Sequence, residues 1–354
     1  MINVRMIVKK IVKKLTGVKN FSYYEKVYDA EKKHSISRWV LMIPGSGCEW
    51  ALDSGGCYMC GFSATIKKIK GKRKKIAQWK IIAAYYLDKF VANPQKEKPE
   101  AVAIYNAGSF LNEEEIPLIA RNKILQDIAE LPSIQNVLVE SRPEFIVSET
   151  IKEMEAILGN KKLTIAIGLE CESDTTRRDC VNKGFNRSDY ERAVNLLKLF
   201  GVDISTYVFL KPLYLSEQEA ISEAISTIKY AFECGTNIVA LQAAFVQKKT
   251  LMHQFYQEGN FRPPWLWSII EVVKNSCFFG PIHIGSFNDE PMPIAIPGNC
   301  GICDQGIIKL FTVFNITQDP SVFKSLSCHC REEWQEELEG LREFEPQLEE
   351  EALV

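Results

Sequence analysis

Between residues 100 and 285 the chain repeats one pattern: a short apolar run, a polar or glycine-containing break, then a longer amphipathic stretch. The runs at 101–105, 137–140, 163–169, 202–210, 237–242 and 281–285 have the length and composition of buried strands. Helical periodicity fills the intervals at 148–158, 189–200, 217–234 and 265–275, and an acidic helix start is expected at Glu113–Glu115. Upstream, an apolar run at 40–43 stops at Pro44, and a helix is expected over 77–91, closing near Asn93-Pro94. Strands alternating with helices predict a parallel sheet with right-handed crossovers. About six such units make an α/β fold, a partial (β/α)6 barrel, in which chemistry gathers at the C-terminal strand ends.

Two terminal segments fall outside this repeat. Residues 1–16 read as a basic amphipathic helix, with Ile2, Met6, Ile7, Ile11, Val12 and Leu15 opposed to Lys9, Lys10, Lys13 and Lys14. The organisation expected is therefore a basic N-terminal helical segment (1–36), a barrel core (37–290) and a small C-terminal four-cysteine metal-binding module with an acidic tail (291–354). The tail from residue 331 holds ten glutamates and two arginines, the composition of a solvated helix or frayed end.

At 354 residues, 46% hydrophobic and 25% charged, the chain can bury a substantial core. No apolar run approaches the roughly 20 residues of a membrane helix, and no membrane contact is expected. Eleven cysteines without a secretory signal point to the cytoplasm and to metal or cluster ligation rather than disulfides. The net charge of −2 conceals a polarity: residues 1–100 carry 21 Lys/Arg against 8 Asp/Glu, and the remainder 22 against 37. A basic front, with the block Lys67, Lys68, Lys70, Lys72, Arg73, Lys74 and Lys75, suits contact with a polyanion such as tRNA.

The candidate chemistry starts after Pro44. Cys48, Cys57 and Cys60, spaced C-x8-C-x2-C on a glycine-rich loop, can hold a [4Fe–4S] cluster and leave its fourth iron open. Zinc usually takes a fourth protein ligand, and no Cys or His follows within twenty residues. A second group is C-terminal: Cys300-x2-Cys303, 24 residues, then Cys328-x-Cys330. Two close pairs fit tetrahedral ligation, by zinc first and an auxiliary iron–sulfur cluster second, with His329 able to replace one sulfur. Cys171 and Cys180 read as structural thiols. Trp265 and Trp267, in Phe261-Arg262-Pro263-Pro264-Trp265-Leu266-Trp267, read as core more readily than as base-stacking platforms.

The strand, the three-cysteine loop and the phrase Gly47-Cys48-Glu49-Trp50-Ala51 … Gly56-Cys57-Tyr58-Met59-Cys60-Gly61-Phe62 resemble radical S-adenosylmethionine (SAM) enzymes. The long first spacing is similar to the branch containing the elongator catalytic subunit, and the phrase to the archaeosine synthase family of tRNA modification. The resemblance implies a radical SAM barrel with the [4Fe–4S] cluster and SAM as cofactors. It places Gly108 and Ser109 of Asn106-Ala107-Gly108-Ser109 where such enzymes receive the SAM amino group. It places Glu140 and Arg142 of Glu140-Ser141-Arg142-Pro143 at the zwitterionic end of SAM, Glu170 at the ribose, and Lys183 of Asn182-Lys183-Gly184-Phe185 at the carboxylate. The implied reaction is cleavage of the C–N bond of a lysine adduct on a 7-deazaguanine base of tRNA. An enzyme that attaches the lysine and an electron donor are the implied partners. A radical SAM enzyme for another nucleobase or small molecule, and a non-catalytic zinc RNA-binding protein, remain alternatives at this level.

Overall fold

A computed structural model of the chain describes residues 22–62, 68–69, 72–73, 75–287 and 291–341. The basic helix expected over 1–16, most of the acidic tail and Lys67, Lys70 and Lys74 lie outside the described residues.

Eight strands form one sheet: β1 (Ser22–Asp29), β2 (His34–Met42), β3 (Ala101–Tyr105), β4 (Asn136–Glu140), β5 (Lys162–Glu170), β6 (Asp203–Leu210), β7 (Ile238–Ala243) and β8 (Ile282–Ile284). They lie side by side in chain order, β1 antiparallel to β2 and every later pair parallel. Because the order never reverses, the right-handed crossovers put their helices on one face, and the sheet curls towards a barrel. The helices are α1 (Gln78–Ala92), α2 (Leu118–Ala129), α3 (Ser148–Leu158), α4 (Arg187–Leu199), α5 (Glu217–Cys234) and α6 (Leu266–Ser276), one after each of β2 to β7. This is the expected α/β partial barrel of six βα units, and each of these strand and helix ranges except α2 lies within two residues of its expectation.

Local chemistry sets the helix ends. A capping box opens α5, with the Glu219 amide donating to Ser216 and the Ser216 amide to Glu219, and Gly235 closes it at φ 113°. Asn186 and Asp189 form the equivalent box at α4, which therefore begins two residues before the acidic turn that marked it in the sequence. Two expectations need correction. Glu113–Glu115 form a turn rather than a helix start, and α2 begins only after Pro117. Residues 22–29, within the segment read as N-terminal and helical, are a sheet strand.

The open side of the sheet is covered by α7 (Asp304–Thr317), which packs against β1, β2 and β8. β8 is an edge strand, and an unpaired edge buried under a helix would strand its backbone groups. Two amide side chains take the part of a ninth strand. Asn315 accepts the Ile284 amide at 2.7 Å and donates to the Ile284 carbonyl at 2.8 Å. Gln318 does the same for Ile282, both bonds at 2.9 Å. The core is continuous from β2 through α6 to Ile307, Phe311, Phe314 and Phe323, so the C-terminal segment completes the barrel. Among the described residues no helix is long and apolar enough to cross a membrane.

Asn315→Leu is expected to leave both Ile284 backbone groups without partners and to cost about 1–3 kcal/mol. A lower urea midpoint with an unchanged slope reads this directly; an unchanged midpoint would show that the edge is satisfied some other way.

Candidate active site

The three-cysteine loop leaves the C-terminal end of β2. The Ile43 amide continues the ladder to the Tyr105 carbonyl at 2.8 Å, and the chain then crosses the mouth of the barrel. Cys48 precedes a five-residue helix, Glu49–Asp53, and the Cys60 amide closes a turn on the Cys57 carbonyl at 3.0 Å. All three thiols are free and partly exposed. Burial pushes the Cys48 and Cys57 thiols up, and the Glu115 carboxylate adds to the effect at Cys48. Their sulfurs do not crowd as the ligands of one ion do: among the described residues, only the C-terminal quartet has all its donor atoms within 4.8 Å of one another. Separation suits ligands to three different irons.

Glu115 joins this loop to the turn after β3. Its carboxylate accepts the Ser109 amide at 2.6 Å and the Glu49 amide at 3.0 Å, and its carbonyl accepts the Ser46 amide at 3.0 Å. It is fully buried. Gly108 has to be glycine, because a Cβ there would strike the Glu115 carboxylate and press on Cys48. Nothing in the sequence marked Glu115, which sits in a run of glutamates that reads as solvated.

The segment 181–185 holds the other side of the loop. Asn182 donates to the Gly56 carbonyl at 2.8 Å, its own carbonyl accepts the Trp50 indole at 2.7 Å, and the Tyr58 amide reaches the Val181 carbonyl at 3.0 Å. The Trp50 ring lies flat against Gly184, whose φ of 76° and lack of Cβ allow it. Arg142 stacks over Trp50 and Phe185, 5.2 and 5.5 Å from the ring centres.

Lys183, in the same segment, meets Glu170 at 2.6 Å, both largely buried. Burial opposes the Lys183 charge, but Glu170 and the nearby Cys57 raise its pKa above the ordinary value. Glu170 sits at a bulge closing β5, and both it (φ 66°) and Ala107 (φ 56°) adopt the left-handed conformation. Such strain, about 1–3 kcal/mol each, concentrates where side chains must be aimed. The pairing considered between Glu140 and Arg142 is not the one formed. Arg142 pairs with Glu144 at 2.5 Å and donates to the Lys183 carbonyl, whereas Glu140 faces the barrel interior and accepts the Tyr207 hydroxyl at 2.7 Å. A glutamate two residues further along the same turn simply reaches the guanidinium more easily.

The C-terminal cysteines converge. Cys300 lies 3.6 Å from Cys328 and 4.0 Å from Cys303, and Cys303 lies 3.7 Å from Cys330, sulfur to sulfur. The Trp267 indole donates to Cys330 and the Asn299 amide to Cys303, each at 3.3 Å. Burial opposes ionisation of Cys300, yet the Cys303 and Ile302 amides and the neighbouring thiols bring it down to about 7. Trp265 and Trp267 are buried, as the core reading expected, and they pack this group. Behind it, Glu217 pairs with Lys211, accepts the Trp265 amide at 2.8 Å and takes Ser268, which in turn accepts Trp334. Cys171 is buried and its thiol is pushed well up, consistent with a structural role. Of the basic block, residues 68–69 and 72–73 form a two-rung antiparallel ribbon, and Lys75 pairs with Glu114.

Glu115→Ala is expected to leave the Glu49 and Ser109 amides without their acceptor, costing about 1–3 kcal/mol. Hydrogen exchange should quicken at residues 46–54 and 107–112 only; global acceleration, or none, would deny Glu115 its local role.

No protein-family model matches the chain. It is 33% identical over 308 residues to archaeosine synthase subunit beta of Methanosarcina acetivorans, covering 85% of this chain and 84% of that one. It is 30% identical over 304 residues to archaeosine synthase subunit beta of Thermococcus kodakarensis, covering 83% and 90%. Among solved structures, an N-terminally truncated Elp3 of Methanocaldococcus infernus aligns with a TM-score of 0.49 and 14% identity, over 66% of this chain and 59% of that one. Identity of this order over more than four-fifths of both chains reflects common descent, and the chain belongs to the radical SAM archaeosine synthase family, among relatives of its beta subunits.

Proposed function

We propose that this protein is the radical SAM component that splits the C–N bond of a lysine adduct on a 7-deazaguanine base of tRNA. The observation that carries the reading is one of placement. Cys48, Cys57 and Cys60, the Gly108-Ser109 turn and the Glu170–Lys183 pair occupy the same end of the barrel, over an interior chamber that Cys60 and Glu170 line. Three separated thiols on a loop pinned from both sides fit a [4Fe–4S] cluster held by Cys48, Cys57 and Cys60. Bound together, cluster and SAM supply one-electron cleavage of a C–S bond and hydrogen-atom abstraction from the substrate.

The chain's own residues provide the rest. The backbone at Gly108 and Ser109 lies next to Cys48, close enough to receive the amino group of SAM. Lys183, kept protonated by Glu170, is suited to the SAM carboxylate, and the second oxygen of Glu170 to ribose hydroxyls. Arg142, clamped between Trp50 and Phe185, ties this corner together. Pinning of the loop keeps water and stray hydrogen donors from the reacting carbon. The basic front of the chain supports tRNA contact through phosphates, and the naming of the relatives as beta subunits supports a partner subunit that installs the lysine.

At the second centre we propose zinc, held by Cys300, Cys303, Cys328 and Cys330. Zn–S bonds of about 2.3 Å put tetrahedral sulfurs roughly 3.8 Å apart. The sulfur separations of 3.6–4.0 Å match that edge. Donation from Trp267 and Asn299 to two of the sulfurs is the expected support for thiolates.

Cys48→Ala, Cys57→Ala and Cys60→Ala are each expected to lose about four irons per chain and all reductive SAM cleavage, while retaining the native circular dichroism spectrum. Full iron content and cleavage in any one would remove that residue from the cluster. Cys303→Ser is expected to lose one zinc and to lower the melting temperature by several degrees while the iron content holds. A protein without zinc before mutation, or one that loses iron instead, would contradict the assignment.

A further inference from the structure

The barrel encloses a chamber of about 970 Å³ that opens beside Met59, Cys60 and Phe62 of the cysteine loop. Its upper walls are apolar, with Leu138, Ile238, Ile284, Ile308 and Phe311. Its far end is not. Arg38 is rooted opposite Ala101, the first residue of β3, whereas the cysteine loop departs beyond Met42, which pairs with Tyr105 at the other end of that strand. The guanidinium donates through Nε and Nη2 to a single oxygen of Glu25, at 2.9 and 2.7 Å. Its Nη1 makes no hydrogen bond among the described residues, and Arg38 lines the chamber.

Across the chamber stands Glu140, hydrogen-bonded by the Tyr207 hydroxyl, which is itself linked to Tyr105. Hydroxyl donors are neutral, so the negative charge of Glu140 stays in the chamber. Burial first and Glu140 next keep Tyr207 protonated, and burial holds Tyr105 up at about 12. His283, beside them on β8, is brought down to about 3 by burial and by Arg38, so its ring is neutral. One cation with an unused fork, one carboxylate and neutral polar groups thus share the floor of an otherwise apolar cavity. A phosphate would require clustered cations, and a purely apolar ligand would leave both charges desolvated without gain. A zwitterion on an aliphatic stem satisfies both.

We propose that this floor binds the α-amino-carboxylate end of the lysyl adduct, with its carboxylate on Arg38 Nη1 and its ammonium on Glu140. The proposal rests on the lysine-adduct reading and adds to it a recognition site inside the barrel. The aliphatic stem then runs along the apolar wall, and the base, attached to tRNA, stays at the mouth. The C–N bond between them is thereby placed at the level of the cysteine loop. Arg38 and Glu140 act as positioning residues: they fix the distant end of the side chain so that one carbon faces the reacting centre.

The test uses cluster-loaded protein, with L-lysine, 1,5-diaminopentane (no carboxylate), 6-aminohexanoate (no α-amine) and L-methionine as probes. Each is titrated calorimetrically and as an inhibitor of adduct-tRNA turnover. L-Lysine is expected to bind and inhibit at least tenfold more tightly than the two truncated probes. Arg38→Gln, with Glu25→Gln to avoid a lone buried charge, should abolish the preference over 1,5-diaminopentane; Glu140→Gln should abolish that over 6-aminohexanoate. Equal affinities of the three amines for the wild-type protein would overturn the proposal without recourse to variants. So would L-methionine competing as well as L-lysine, which would assign the chamber to SAM. A wild-type protein that discriminates among the probes but turns over no lysine adduct keeps the recognition site and refutes the reaction instead.

Discussion

A sheet that curls but does not close must satisfy the backbone of its last strand, and the rest of this structure depends on how that is done. Asn315 and Gln318 supply four hydrogen bonds to β8 from the end of α7. Their reach is fixed by where α7 starts, and it starts at Cys303, next to the four converging sulfurs. The cysteine quartet and the network from Lys211 and Glu217 to Trp334 therefore hold a wall of the barrel in place. Through Ile308, Phe311 and Asn315 that wall is also a wall of the chamber. A small cysteine-rich segment need not possess a core of its own if it borrows one, and this segment shares the core of the barrel.

The other end of the barrel is organised by rigidity. The loop carrying Cys48, Cys57 and Cys60 is irregular, and irregular backbone is normally mobile. Here it is held on one side by a buried carboxylate, Glu115, and on the other by Asn182 and the seat of Trp50 on Gly184. Precise placement matters in radical chemistry, because a misplaced reactive group abstracts the wrong hydrogen. The same two supports carry the groups suited to SAM, so cluster loop and cofactor-facing residues cannot shift independently.

Most of the barrel was legible in the sequence, because parallel strands buried on both faces read as apolar runs and the helices between them keep a clean period. β1 was not, since its Tyr23-Tyr24-Glu25-Lys26 stretch is partly exposed and partly lines the chamber, and so alternates neither way. Cysteine spacing revealed both cysteine groups. Glu115 stayed hidden because a buried carboxylate and a solvated one look alike in a row of three. The residues of the chamber floor carried a signal that went unused: Arg38, Tyr207 and His283 are each a polar interruption inside an otherwise apolar strand. On a strand whose one face packs under helices and whose other faces a cavity, such an interruption points at the cavity.

The central claim is that hydrogen is taken from the lysyl side chain of a tRNA adduct at this barrel mouth. It is tested most directly by supplying tRNA whose adduct carries deuterated lysine, with SAM and a low-potential reductant, and analysing both products by mass spectrometry. Deuterium in 5′-deoxyadenosine, together with a formamidine-bearing 7-deazaguanine in the tRNA, is the predicted result. Unlabelled 5′-deoxyadenosine with the lysine adduct left intact would contradict it.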